Sequence, residues 1–264
     1  MKKLVICLWA LAPFLWAIIT SVKTGAELFS ARLLPSRLTL ANYVGIFEEQ
    51  DFGRNLLNSV VVAVSTVLIS GGIALLAAYP LARTRFWGRR GILFSFLLVS
   101  MFPQVAILSG LFELIRALGL FNQWGALVLS YLIFTLPFTV WTLTVFMREL
   151  PKSLEEAAVL DGAGKLTILF RIFLPVMAPS VVATSLLAFI AAWNEFLFAL
   201  TFTVTDRSRT VPVAIAMMSG ASAYEIPWGR IMAASVLVTA PVVGVVLVFQ
   251  RRIVAGLTAG SVKG

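Results

Sequence analysis

The chain has 264 residues, 60% of them hydrophobic and 12% charged, with a mean hydropathy of +0.97. Soluble domains carry about 25% charged residues, so too few polar side chains are available to cover a water-facing surface, and the composition implies an integral membrane protein. Histidine is absent and Cys7 is the single cysteine, which excludes Ser-His-Asp and Cys-His catalysis, histidine metal sites and an internal disulfide; no catalytic residue, metal or cofactor is expected.

A helix crossing about 30 Å of hydrocarbon needs roughly 20 apolar residues. Six runs meet this, at about 4–22, 56–82, 92–112, 125–147, 176–200 and 231–249. The expected architecture is all-α and polytopic. It is a single transmembrane domain over 1–264 with six membrane-spanning helices, a loop at 148–175 and a tail at 250–264. The first run follows "MKK", as a signal peptide would. A signal-peptide core, however, has roughly 7–15 apolar residues and is followed by a small-residue cleavage site. This run has 19 and no such site, so it reads as a retained helix, with Cys7 as a small apolar filler. The segment after it, "LLPSRLTLANYVGIFEEQDF", can carry a short amphipathic helix. Pro103, Pro137, Pro175 and Pro179 interrupt apolar runs and predict kinks, which membrane helices tolerate when neighbours satisfy the freed backbone groups.

Charge assigns the sides. If the N-terminus is cytoplasmic, 13 of the 21 basic residues face the cytoplasm, with four acidic ones (Glu149, Glu155, Glu156, Asp161). The other side carries eight of each sign, so all of the net +9 lies inside, in keeping with the positive-inside rule. The pI of about 10.3 therefore reports topology and not nucleic-acid binding, and both termini are expected to be cytoplasmic.

The cytoplasmic stretch Ser153–Pro175 is polar and glycine-broken. Ser153 and Glu156 have capping-box spacing, which predicts a helix from Leu154 with an acidic first turn. Leu154, Ala157 and Ala158 form a shallow apolar face, and Gly162 and Gly164 then weaken the helix. A second amphipathic piece places Leu166, Leu169, Phe170 and Phe173 on one side. Such a shape suits insertion into a groove; an ordinary helix lying on lipid headgroups is the alternative.

Glu156-Ala157-Ala158, Gly162, Ile172 and Leu174-Pro175 match the EAA loop of ABC-importer permeases, EAA-x3-G-x9-I-x-LP, at every defining position. With Asp161 and Ala163 the stretch "EEAAVLDGA" resembles the carbohydrate-importer form. The stretches Met101–Tyr131, Ala191–Leu200 and the tail "FQRRIVAGLTAGSVKG" are similar to the second permease subunit of maltose- and trehalose-type importers. The resemblance implies a MetI-like permease fold in a bacterial or archaeal cytoplasmic (inner) membrane. The implied partners are a second, homologous permease, two copies of an ATPase subunit, an extracytoplasmic sugar-binding protein and membrane lipid, with no nucleic acid. It also implies that the EAA helix docks in a cleft of the ATPase, with Glu156 as charged anchor, Ala157 and Ala158 permitting close approach and Gly162 the bend. Arg251, Arg252, Gly256 and Lys263 in the tail would contact the same ATPase dimer. Ser219, Gly220, Ser222 and Tyr224, in an outer loop that probes the sugar-binding protein in the maltose system, suit either sugar displacement or an ordinary surface loop.

Among polar residues in the spans, Asn58, Gln104, Asn194 and Glu195 are candidates for the translocation path. Interhelical hydrogen bonding is the alternative for each, and for Glu195 a solvated vestibule is another. The chain lacks a G-x-x-x-x-G-K-[ST] phosphate loop, so ATP hydrolysis falls to a partner. The implied function is import of a trehalose- or maltose-like disaccharide. The alternatives are a permease for another sugar or sugar derivative, or a proton- or ion-coupled secondary transporter.

Overall fold

A computed structural model describes residues 2–30, 32–48, 51–218 and 226–259, with backbone alone for 2–4, 7, 26 and 251–259. The described residues form helices joined by short turns: α1 (Lys2–Ser21), a 3₁₀ turn (Gly25–Phe29), α2 (Ala41–Glu48), α3 (Phe52–Arg83), α4 (Arg89–Ser100), α5 (Gln104–Ala117), α6 (Trp124–Glu149), α7 (Lys152–Leu160), α8 (Lys165–Val176), α9 (Ala178–Trp193), α10 (Leu197–Phe202), α11 (Val211–Ala216) and α12 (Trp228–Ala259). α2 falls inside the stretch expected to carry a short helix.

Among the described residues, three helices are long and apolar enough to cross a membrane: α3, α6 and α12 over Trp228–Gln250. Two bent pairs would add a fourth and a fifth crossing if each is one span. α1, 20 residues long, matches the first apolar run.

The run at 92–112, expected as one helix, is broken: α4 and α5 meet at 97°. Pro103 cannot donate to the carbonyl of Val99 and disfavours helical geometry at Phe102. Phe102 N instead donates to Val99 O (3.2 Å), and Ala106 N to Pro103 O (3.0 Å) begins the new helix. The run at 176–200 is also interrupted. α8 and α9 meet at 82°, and a break at residues 194–196 separates α9 from α10. Ile168–Phe173 is π-helical. Pro175 lies just beyond, and its ring presses on the carbonyl four residues earlier, widening the turn. Pro137, by contrast, lies within an unbroken α6.

Two compact units divide the chain, 1–59 with 203–244, and 60–202 with 245–264. In the first, Ile46, Phe52, Val211 and Ala234 form the core. The buried Asn42 amide donates to Ser21 O (2.7 Å) and Lys23 O (2.8 Å). Buried Asn58 donates to the carbonyls of Arg207 and Arg209 (2.8 Å each), and Ser59 Oγ accepts from Val211 N (2.9 Å). In the second unit, Ala74 and Ala78 on α3 have no exposed surface, and Val140, Leu143, Ile168, Leu169 and Phe173 complete the core. Small residues allow this close approach, the usual way membrane helices pack. The hydroxyls of Ser130, Thr135, Thr139 and Thr144 on α6 donate to carbonyls four residues back, which satisfies them without water.

A Cβ at Gly229 would lie 2.6 Å from Asn42 Oδ1 and 2.7 Å from Nδ2. Gly229→Ala should therefore dislodge the Asn42 amide and cost about 1–3 kcal/mol, read as a lower melting temperature in detergent. Gly110→Ala, where a Cβ meets nothing within 4 Å, should leave it unchanged.

Candidate functional site

The polar stretch folds as a helix, a glycine turn and a second helix, and its inner face is clasped from three sides. Leu150 and Pro151 are extended, and α7 begins at Lys152. The predicted capping box does not form. The helix starts two residues before Leu154, so Ser153 lies inside it and no side chain caps the end.

The acidic residue that turns inward is Glu155. Tyr79 Oη donates to Glu155 Oε1 at 2.7 Å, and Arg83 Nε lies 3.7 Å from Oε2. Arg83 Nη2 donates to Leu150 O at 2.8 Å, and its guanidinium stacks over Phe173 at 4.9 Å. Arg148 Nη2 donates to Leu81 O at 3.1 Å. The end of α3 is thereby tied to α6, α7 and α8 together.

The outer face is open. Glu156 and Ala157 are exposed, whereas Ala158 is buried and packs in the core, so the two alanines do different work. Val159, Leu160, Leu166 and Phe170 are 58%, 89%, 64% and 46% exposed. Leu169 and Phe173 of the same amphipathic piece are buried, so that predicted face splits between core and surface.

α7 ends as a Schellman turn. Ala163 N donates to Ala158 O (2.9 Å), Gly162 N to Val159 O (3.0 Å), and Gly162 has φ +77°. A side chain there costs about 1–2 kcal/mol. The motif glycine is needed for that turn, with exposed Asp161 just before it. Ile172 and Leu174 are half-buried and Pro175 is exposed where the chain enters the 82° bend.

Gln104, Asn194 and Glu195 come together in a cleft of about 400 Å³ that Phe134 also lines. Asn194 Nδ2 donates to Ile190 O (2.8 Å). Glu195 is buried, and its carboxylate accepts from Phe198 N (2.8 Å) and Ala199 N (3.1 Å), capping α10. Glu195 thus caps the helix that follows it while also lining the cleft. Asn58 does not line this cleft. Ser219, Gly220, Ser222, Tyr224 and Lys263 lie outside the described residues, and Arg251, Arg252 and Gly256 are described in backbone alone, within α12.

Sequence reasoning missed Glu155, Tyr79 and Arg83. Glu155 and Glu156 are adjacent, and only the positions of Tyr79 and Arg83, more than 70 residues earlier, decide which one turns inward.

The regular structure of the described residues is helical throughout, and several of the helices are apolar and long enough to cross a membrane. The chain belongs to the family of binding-protein-dependent transport system inner membrane components, whose family model matches residues 70–258; it is a membrane transport subunit and not an enzyme. It is 42% identical to the trehalose transport system permease protein SugB of Mycobacterium tuberculosis, over 97% of this chain and 93% of that protein. It is 44% identical to the trehalose/maltose transport system permease protein MalG of Thermococcus litoralis, over 98% and 93%. Identity is 42% to the sulfoquinovosyl glycerol transport system permease protein SmoH of Agrobacterium fabrum, over 96% and 89%. Among solved structures, a bacterial ABC transporter involved in import of the acidic polysaccharide alginate matches with a TM-score of 0.80 at 23% identity, covering 94% of this chain and 92% of that one; this match concerns the fold.

Glu155→Ala should leave Arg83 without its carboxylate and cost about 1.5–3 kcal/mol, whereas Glu156→Ala, on the exposed face, should be within about 0.5 kcal/mol of wild type. Thermal unfolding of the two purified variants checks the difference.

Proposed function

We propose that this chain is one of two homologous permease subunits of an ATP-driven importer, carrying a trehalose- or maltose-like disaccharide into the cytoplasm. The trehalose and trehalose/maltose systems of its relatives support that substrate class. The sulfoquinovosyl glycerol relative, another glycoside system at equal identity, makes a different sugar derivative the second reading. Residues 1–264 act as a single transmembrane domain with six spans: α1, α3, the bent α4–α5 pair, α6, α9 with α10, and α12. Both termini and the α7–α8 segment lie in the cytoplasm, where the net positive charge is concentrated.

The observation that carries the mechanism is the two-faced α7. Its inner face is locked by Glu155 to Arg83 and Tyr79, and its outer face offers Glu156, Ala157, Val159 and Leu160. A surface of one carboxylate, one small residue and two exposed aliphatic residues suits a groove on a soluble partner, and the family pattern makes that partner one of two ATPase subunits. When the ATPase dimer closes, α7 is displaced as a rigid body. Arg83 passes the displacement to α3 and Phe173 passes it to α8, so the spans switch between two packed arrangements. The α12 tail, with Arg251, Arg252, Gly256 and Lys263, provides a second ATPase contact.

The outer loop bearing Ser219, Gly220, Ser222 and Tyr224 meets an extracytoplasmic sugar-binding protein. Gln104, Asn194 and Glu195 face the translocation path.

Ala157→Trp should abolish ATPase copurification and sugar uptake, because an indole on the exposed face blocks close approach, while the melting temperature stays near wild type. Copurification of the ATPase with the Ala157→Trp chain at wild-type yield would refute the docking assignment. The sugar retained by the cognate binding protein on purification tests the substrate class, with a disaccharide expected.

A further inference from the structure

A second feature lies near the end of α3. A cavity of about 820 Å³ opens between the α3–α4 turn and α6, and Arg85, Arg89, Arg90, Arg148, Trp87 and Trp141 line it. Four guanidiniums converge there and no acidic residue lines it. Among the described residues, none of the four arginines has an ion pair, the two ion pairs present being Arg83–Glu155 and Arg209–Asp206. Arg89 and Arg148 are close enough to repel each other.

Two of the arginines make one backbone contact each, Arg89 Nη1 to Thr84 O (3.1 Å) and Arg148 Nη2 to Leu81 O (3.1 Å). A guanidinium has five N–H donors, so most of their capacity is unspent. Glu155 and Glu156 line an adjoining cavity that shares Arg85, Arg89 and Arg148. Glu155 is already held by Arg83 and Tyr79.

We infer that this cavity binds a phosphate-bearing anion, and that an anionic phospholipid headgroup supplies it. The forked donors of arginine match phosphate oxygens, and one bound anion would relieve the Arg89–Arg148 repulsion. The setting selects lipid over free phosphate. Trp87 is fully exposed, as suits an indole resting at headgroup level. Below the arginines, Gly91, Phe94 and Leu98 follow one another at helical spacing on α4, and Phe94 and Leu98 are 61% and 53% exposed. The site therefore has a cationic mouth beside an apolar track along which an acyl chain can lie. It stands on the cavity itself and is independent of the substrate assignment.

Native mass spectrometry of the full-length chain in detergent tests this with added phosphatidylglycerol, phosphatidylcholine or inorganic phosphate. Phosphatidylglycerol should bind at least about tenfold tighter than phosphatidylcholine. The double substitution Arg85→Gln/Arg90→Gln removes two exposed charges and should weaken phosphatidylglycerol roughly thirtyfold without moving phosphatidylcholine. Arg32→Gln/Arg37→Gln, at exposed positions elsewhere, should change neither. If the double variant aggregates, Arg90→Gln alone should give about a fivefold loss. Equal binding of the two lipids, undiminished phosphatidylglycerol binding in the cavity variant, or inorganic phosphate binding as tightly as phosphatidylglycerol would each overturn the lipid site.

Discussion

Arg83 stands where α3 ends and holds four things with one guanidinium: the Glu155 carboxylate, the Leu150 carbonyl, the face of Phe173 and, through Glu155, the Tyr79 hydroxyl. Its side chain is only 5% exposed, so the charge is taken out of water at a cost that only good pairing repays. Such an arrangement adds little net stability over an apolar packing, but it resists being half-made, because Arg83 left alone is a buried charge. α7 can therefore sit against the spans in one orientation. The exposed Glu156–Ala157 face follows from that orientation.

The interruptions of the helices obey a second constraint. Within hydrocarbon, every backbone amide and carbonyl must find a partner in the protein. At Phe102–Pro103 a 3₁₀ contact closes the gap that proline opens. Through the 82° bend at Met177 the ladder continues, with Met177 N on Phe173 O (2.8 Å) and Val181 N on Met177 O (2.9 Å). At residues 194–196 the lost contacts are replaced by the Glu195 carboxylate on two amides of α10. A buried acid at that depth is explained by the helix end it caps. Gly162 ends α7 by the same logic, its left-handed backbone letting two amides return to the last carbonyls.

The relatives show what overall identity follows in this family. Trehalose and sulfoquinovosyl glycerol permeases lie at the same 42% from this chain. Overall identity therefore does not separate one sugar class from another among them.

Much of this was legible in the chain itself. Apolar runs of about 20 residues are imposed by bilayer thickness, so the long helices and the asymmetric basic residues could be read directly. Gly162 could be assigned to a helix end because glycine alone enters the left-handed region without penalty. Hydropathy was blind to the breaks at Met101–Pro103 and at residues 194–196, because an apolar residue in a turn counts the same as one in a helix. Local spacing likewise favoured a Ser153–Glu156 cap that the structure lacks. The inward turn of Glu155, the burial of Ala158 beside an exposed Ala157, and the approach of Arg148 to the Arg85–Arg90 cluster were decided by tertiary structure. The physical reason is that the partners of each lie on other helices, and no periodicity within one segment records where a distant helix will pack.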